Sequence, residues 1–261
     1  MDVHEFYLHT MQTLRAAGLP FLVGGGYAFR YYTGVGRDPK DFDIFVRRED
    51  YDAVMKVLSQ AGYRTELTFP HWLGKISSTN AYIDVIFNSG NGIAPVDQQW
   101  FQHAPEAEVL GIPVRLCPVE ETIWTKAFIM ERERYDAADI MHLILARAEQ
   151  LDWVRLITRF GPHWRVLFSH LCLFGFIYPA ERERIPAWVM RGLVGRLELE
   201  MRAPAPIEKT CQGTLLSREQ YLVDVQRWGL ADVRHTDVSS MTPDDVSLWT
   251  DAIRKPPASQ P

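Results

Sequence analysis

Three acidic residues in strand-like segments are the groups in this sequence best suited to chemistry. Asp41 and Asp43 are separated by one residue in the segment DFDIFV at 41–46, and a strand would place both carboxylates on one face. Two carboxylates held this close repel one another unless a cation lies between them. A Mg²⁺ or Mn²⁺ ion that binds carboxylate and phosphate oxygens would remove the repulsion. The alternative is a solvated surface pair, because short motifs of this kind occur often by chance.

The third acid, Asp84, stands in the apolar segment AYIDVIF at 81–87. An unpaired carboxylate buried in such a strand is costly, so we expect a metal ion or a cationic side chain beside it. A structural ion pair with Lys75 or Arg37 is the alternative to a metal site.

A glycine triplet, Gly24, Gly25 and Gly26, follows a short apolar run and precedes an amphipathic stretch. Without Cβ atoms, a strand-to-helix turn lets backbone N–H groups approach a phosphate closely. The loop before Asp41 adds Arg37 and Lys40, which could pair with a triphosphate. Taken alone, the triplet is equally compatible with a tight turn and the two cations with solvated charge. It lacks the spacing of a P-loop or a dinucleotide-binding fingerprint.

The elements around these residues change character near Pro118. Before it, strand patterns alternate with helical ones, whereas helical periodicity dominates after it. The sequence therefore predicts an α+β protein with an α/β-type N-terminal half. We expect a catalytic domain at 1–117, a helical domain at 118–202, and a linker and tail with short helices at 203–261.

The order of these features resembles the nucleotidyltransferases of the DNA polymerase β superfamily over about residues 21–116. A hydrophobic residue and two glycines come first, then a helix, then Asp-hydrophobic-Asp-hydrophobic, and then a later strand aspartate. The pattern is most similar to small bacterial branches: AbiEii-type toxins, minimal nucleotidyltransferases, and lincosamide or aminoglycoside nucleotidyltransferases. The resemblance implies a mixed, twisted sheet flanked by helices and followed by a helical region.

The resemblance also implies roles for individual residues. Gly25 and Gly26 would hold the triphosphate, with Gly24 beside them, and Asp41 and Asp43 would bind two metal ions. Asp84 would ligate the catalytic metal and help deprotonate the acceptor hydroxyl. The family often has Ser or Thr just after the glycine, where this chain has Gly26 and Tyr27.

A second similarity, to an AbiEii-like pattern, begins at Pro118. In that pattern a helix lysine precedes Arg-x-x-Asp-x-x-Asp, which makes Lys126 a phosphate ligand by analogy. Asp136 and Asp139 would cap the next helix and pair with Arg132 or Arg134. Caps and surface ion pairs alone are the alternative for these two acids.

The composition limits the choice of partners. The chain has 261 residues and a formal net charge of −5, which argues against an extended basic surface for duplex DNA. A local patch for RNA, formed by Arg155, Arg159 and Arg165, stays open beside the alternative of solvated helix charge. Three cysteines without CxxC spacing indicate a reducing compartment. With no signal peptide and no apolar run of membrane length, we expect a cytoplasmic protein without membrane contact.

These observations predict a metal-dependent nucleotidyltransferase. It would transfer an NMP from an NTP to a hydroxyl on an RNA end, a protein or a small molecule, and release pyrophosphate. The alternative is a non-catalytic nucleotide-binding regulator or partner-binding module on the same fold, such as a toxin–antitoxin component.

Overall fold

The computed structural model describes residues 2–36, 41–79 and 81–252. Arg37 and Lys40, the two predicted loop cations, lie outside the described residues. The chain divides into two compact units, of which one combines residues up to Pro118 with those from Arg234 onward. The other unit spans Val119–Val233.

A five-stranded mixed sheet forms the centre of the first unit. Its strand order is β1-β2-β5-β4-β3, with β2 and β5 parallel and the other neighbours antiparallel. The strands are β1 (Leu22–Val23), β2 (Phe42–Phe45), β3 (Arg64–Phe69), β4 (Leu73–Ser77) and β5 (Tyr82–Ile86). A hairpin of β6 (Glu106–Val109) and β7 (Ile112–Arg115) lies outside this sheet. The helices are α1 (Val3–Ala16), α2 (Gly25–Thr33), α3 (Arg48–Gln60) and α4 (Gln98–Gln102). The predicted α+β class is confirmed.

One face of this sheet is apolar and covered by helices. Phe42 and Ile44 of β2 are fully buried, as are Ile83 and Val85 of β5. Tyr7 of α1 stacks on Phe42 with ring centroids 4.7 Å apart. Because side chains alternate along a strand, the residues between these apolar ones point to the opposite face. The predicted acids are on that opposite face.

The second unit is mainly helical, as predicted for the region after Pro118. Its helices are α5 (Val119–Ala127), α6 (Ala137–Arg147), α7 (Trp153–Phe160), α8 (Trp164–Ile177), α9 (Ala187–Arg202) and α10 (Leu222–Gln226). A short parallel pair, β8 (Thr210–Cys211) with β9 (Ala231–Asp232), completes the unit. In the described ranges, no helix has both the length and the apolar character needed to cross a membrane.

Buried ion pairs join α5 to α7 inside the second unit. Glu121 is fully buried, and its carboxylate accepts from Arg155 at 2.6 and 2.8 Å and from Arg159 at 2.9 Å. Glu120 binds the same Arg155 guanidinium. On the exposed surface, Arg165 donates to Glu200. Arg155 and Arg159 are therefore engaged by buried glutamates of their own unit, whereas Arg165 is a solvent-exposed charge paired with Glu200.

Residues 234–252 pack with the first unit. Asn88 donates to Ser240 Oγ at 2.8 Å, and Ser240 Oγ donates to the Gly92 carbonyl at 2.9 Å. The last helix of the described residues, α11 (Pro243–Asp251), sets the Trp249 ring against Phe69 with centroids 4.8 Å apart. The predicted division into a catalytic domain, a helical domain and a tail stays a prediction. The contacts group this segment with the N-terminal half.

We expect Trp249→Ala to destabilise the first unit by about 2 kcal/mol, because a large aromatic contact is lost from a partly buried site. Leu248→Ala is the matched control, since Leu248 is 41% exposed and its truncation should cost under about 0.5 kcal/mol. Urea unfolding measures both values. Equal effects of the two substitutions would contradict the docked position of α11.

His71 should make stability depend on pH. Burial lowers its pKa below the ordinary 6.5, against the opposing effects of a hydrogen bond to the Gly90 carbonyl and the charge of Asp245. As pH falls below about 6.5 the unfolded chain binds a proton that the folded chain does not, so stability should fall. We expect a smaller loss between pH 7.5 and 5.5 in His71→Gln, measured by urea midpoints. Part of the pH dependence should remain in this variant, because the pKa of buried His170 is also lowered. An identical loss in both proteins would contradict this assignment.

Candidate active site

The parallel pairing of β2 with β5 brings two of the predicted acids side by side. Asp43 and Asp84 are register partners in these neighbouring strands, whose backbones lie about 4.8 Å apart. Asp41, two residues before Asp43, belongs to the same face. Asp41 is exposed, whereas Asp43 and Asp84 are partly buried. The sheet thus assembles on one face the three carboxylates that the sequence indicated.

Tyr82 links the first acid to β5. Its hydroxyl donates to Asp41 Oδ1 at 2.6 Å. This hydrogen bond is the largest cause of a raised Tyr82 pKa, followed by burial and by the charges of Asp41, Asp84 and Asp43. All three carboxylates therefore act electrostatically on one phenol, which indicates that they converge.

Lys75 of β4 lies directly across from Asp84 in the antiparallel register. Its ammonium is 3.1 Å from Asp84 Oδ1, and this oxygen is buried and accepts no aligned hydrogen bond. Burial raises the pKa of Asp84, and the charge of Lys75 opposes that rise. The expected cationic partner of Asp84 is therefore Lys75, the alternative that the sequence left open beside a metal ion.

The glycine triplet begins α2 beside Asp43. Gly24 is the N-cap, and its N–H donates to the Asp43 carbonyl at 3.0 Å. Gly25 has φ +53°, and a Cβ there would lie 1.7 Å from Asp43 Oδ2. A Cβ on Gly24 would lie 2.3 Å from the Phe45 ring. Side chains of β2 thus leave no room for a Cβ at either position. At Gly25 the backbone conformation also favours glycine.

The N-terminus of α2 suits an anion. The first N–H groups of a helix have no intrahelical partner, and the helix dipole favours negative charge there. The first turn contains Gly25, Gly26 and Tyr27 and carries no acidic residue. A phosphate at this end would therefore meet backbone donors close to the Asp43 carboxylate.

The donor set fits a hard divalent cation by its chemistry, because three carboxylates offer the oxygen ligands that Mg²⁺ prefers. Within residues 2–36, 41–79 and 81–252, however, no three acidic, histidine or cysteine side chains stand in positions that hold an ion. Tyr82 and Lys75 contact two of the acids instead. Metal binding by this triad stays a prediction.

Lys126, the remaining predicted nucleotide ligand, belongs to the second unit. Its ammonium lies 2.8 Å from Asp136 Oδ2 and 2.9 Å from Asp139 Oδ2. Burial acts to raise the pKa of Asp136, but hydrogen bonds from Arg134 and the charge of Lys126 hold it below its ordinary value. Asp136 occupies the N-cap position of α6 without a side-chain cap bond, so the expected cap is wrong for it and the expected pairing with Arg134 is confirmed. Phosphate binding by Lys126 stays a prediction.

Tyr82 is a residue of this site that the sequence pattern did not single out. The spacing could have indicated it, because Tyr82 precedes Asp84 by two residues just as Asp41 precedes Asp43. In parallel neighbouring strands the two pairs fall in matching positions. His71, by contrast, is a packing residue, with Nε2 3.0 Å from the Gly90 carbonyl.

Comparison with known proteins agrees with this reading of the first unit. Residues 7–104 match a sequence model of the aminoglycoside-2''-adenylyltransferase family. This span is less than half of the chain, and it includes the glycine triplet and all three aspartates. The chain is similar to nucleotidyltransferases here. The match supports the predicted superfamily and an enzymatic activity of this class, whereas the AbiEii-like branch stays a prediction. A search of curated proteins finds no match.

Solved structures show distant similarity. ANT(2'')-Ia in complex with adenylyl-2''-tobramycin has 17% identity and a TM-score of 0.40, over 74% of this chain and 98% of that one. Lincomycin-bound LnuA, a lincosamide antibiotic adenylyltransferase, has 17% identity and a TM-score of 0.39, over 55% and 96%. A tRNA-processing enzyme has 11% identity and a TM-score of 0.30, over 97% and 98%.

The contact between Gly25 and Asp43 can be tested with a matched pair of glycines. Gly25→Ala should displace the Asp43 carboxylate and reduce nucleotidyl transfer by about 10²-fold or more, because the predicted metal-binding carboxylate would lose its geometry. Gly34 also has a positive φ, +71°, but nothing lies within 4 Å of its missing Cβ. Gly34→Ala should therefore lose only about 1–2 kcal/mol of stability, from the strained backbone conformation, and retain activity. Activity assays and thermal unfolding separate the two effects, and full activity in Gly25→Ala would refute the required close approach.

Proposed function

We propose that this protein is a metal-dependent nucleotidyltransferase that transfers an NMP, most simply AMP from ATP, to a hydroxyl acceptor. The observation that carries the proposal is the pairing of Asp43 with Asp84 beside the glycine N-terminus of α2. Anion-binding backbone groups and carboxylates for a cation thus adjoin one another. The family match over residues 7–104 supports the same reading.

The residues have distinct roles in this proposal. The backbone N–H groups at Gly25 and Gly26 bind the triphosphate, with Arg37 and Lys40 as further proposed phosphate ligands. Asp41, Asp43 and Asp84 hold Mg²⁺ or Mn²⁺. A divalent ion bound there would neutralise phosphate charge and orient the reacting groups. The N-terminus of α2 fixes the leaving pyrophosphate through its dipole and the backbone N–H groups of Gly25 and Gly26.

Asp84 is the proposed proton acceptor. The acceptor hydroxyl gives its proton to the Asp84 carboxylate while its oxygen forms a bond to the α-phosphorus. The bond from that phosphorus to the bridging oxygen of the β-phosphate breaks, and pyrophosphate leaves with the electron pair. A raised Asp84 pKa makes the carboxylate a stronger base than an exposed aspartate, and the contact with Lys75 opposes its protonation before the reaction.

A small molecule is the proposed acceptor, in preference to an RNA end or a protein. The family matched over residues 7–104 is described by its action on aminoglycosides, and the chain's net charge of −5 suits a cationic partner. In the helical unit, Arg155 and Arg159 bind buried glutamates, which makes them unavailable for a phosphate backbone. We propose an aminoglycoside or a similar amino sugar.

Replacement of Asp43 tests this function. Asp43→Asn should lower transfer of labelled AMP from ATP by about 10³-fold while the fold is retained, because the neutral amide is a poorer cation ligand of the same shape. Asp52→Asn is the control, since Asp52 lies on α3 with its side chain 82% exposed. Thin-layer analysis of labelled product with tobramycin, and circular dichroism of each variant, give the two readouts.

Unchanged turnover in Asp43→Asn would contradict the proposal, and unfolding of this variant would mark the acid as structural. Binding of ATP without any turnover in the wild type, across acceptors, would favour the non-catalytic nucleotide-binding module.

A further inference from the structure

Four strands align one row of charged side chains across the polar face of the sheet. The register pairs Asp43 with Asp84, Asp84 with Lys75, and Lys75 with Glu66. Register partners in neighbouring strands point to the same face. The row therefore extends from the catalytic carboxylates to the edge strand β3, where Glu66 is exposed.

A second polar row runs beside the first. Tyr82 is the register partner of Ser77, and Ser77 is the partner of Arg64 on β3. At its other end, Tyr82 is hydrogen-bonded to Asp41. Arg64 is exposed, and Ser77 and Tyr82 are half-buried. Each member is two residues from a member of the first row, so both rows share one face.

The position of the glycine turn determines which side of the carboxylates is left for the acceptor. The glycines follow β1, and β1 pairs with β2 on the side of β2 away from β5. In nucleotidyl transfer the attacking oxygen and the leaving oxygen stand roughly in line on opposite sides of the phosphorus. With pyrophosphate at the N-terminus of α2, the attacking hydroxyl lies towards β5, β4 and β3.

We propose that this outer polar face, formed by Lys75, Ser77, Tyr82, Glu66 and Arg64, is the acceptor subsite. The inference rests on the proposed function and adds the place where the acceptor binds. Ser77 and the Lys75 ammonium donate hydrogen bonds to acceptor oxygens, and the Glu66 carboxylate binds an ammonium group. The face carries charges of both signs, Lys75 and Arg64 positive and Glu66 negative, which suits a compact polar molecule with hydroxyl and amino groups rather than a polyanion.

The β3–β4 hairpin, which carries most of this face, packs against α11 and α3. Trp249 of α11 packs against Phe69 of β3 and, at 5.2 Å between ring centroids, against Trp72 beside β4. The opposite face of β4 packs on α3, where Gly74 leaves room for the Tyr51 ring. Side chains of the subsite thus stand on a supported sheet rather than on a loop, as precise positioning of an acceptor requires.

The test uses variants that contact none of the three aspartates. Steady-state kinetics with ATP and tobramycin, and separately lincomycin, are measured for the full-length wild type, Glu66→Gln, Ser77→Ala and their double variant. We expect the KM for tobramycin to rise about 10-fold or more in the double variant, through loss of one charged and one neutral hydrogen bond. The KM for ATP should stay within about two-fold. Glu66→Asp should recover part of the loss.

Lys56→Met is the control, because Lys56 is exposed on α3, which packs on the opposite face of the sheet. Its acceptor KM should equal that of the wild type. An active wild type with an unchanged acceptor KM in the double variant would overturn the subsite while leaving the proposed function intact. A rise in the KM for ATP alone would also overturn it. A wild type that transfers AMP to neither compound would overturn the small-molecule function, and the subsite with it.

Discussion

Electrostatic repulsion between neighbouring carboxylates is the constraint on which this structure depends. The parallel pairing of β2 with β5 places Asp43 directly beside Asp84, and alternation adds Asp41 to the same face. Such an arrangement is unfavourable without compensating positive charge or hydrogen-bond donors. Around it lie a lysine across the next strand, a tyrosine hydroxyl, and the positive end of a helix. Each of these reduces the cost of holding the acids together.

The same arrangement places the proposed triphosphate site and the proposed acceptor subsite on opposite sides of the carboxylates. On one side of the acids, Gly25 removes the Cβ that would collide with Asp43, so the N-terminus of α2 adjoins the carboxylate. On the other side, β4 and β3 continue the sheet with polar side chains. An apolar opposite face, packed against α1 and α3, keeps the strands in the register that aligns these groups. Fold and proposed chemistry therefore depend on one set of strand pairings.

The sequence was sufficient to indicate the acids, the glycine turn and the α+β class, because strand alternation and turn chemistry are local signals. It could not show that Asp43 meets Asp84, since these residues are far apart in sequence and their register is a property of the assembled sheet. Tyr82 was missed for the same reason: its partner, Asp41, is a cross-strand one. The packing of Trp249 on Phe69 joins distant segments that share no periodic pattern. Lys126 was expected at a phosphate, and its ion pairs with Asp136 and Asp139 became visible only in three dimensions.

Calorimetric titration of ATP, with and without Mg²⁺, tests the central claim most directly when the wild type is compared with Asp41→Ala/Asp43→Ala. If the carboxylates and the N-terminus of α2 form one metal–triphosphate site, the wild type binds ATP in a Mg²⁺-dependent manner and the folded double variant loses that dependence. The other three NTPs, titrated in the same way, report base preference. Binding that is indifferent to Mg²⁺ and to both aspartates, or no binding by the wild type, would contradict the account.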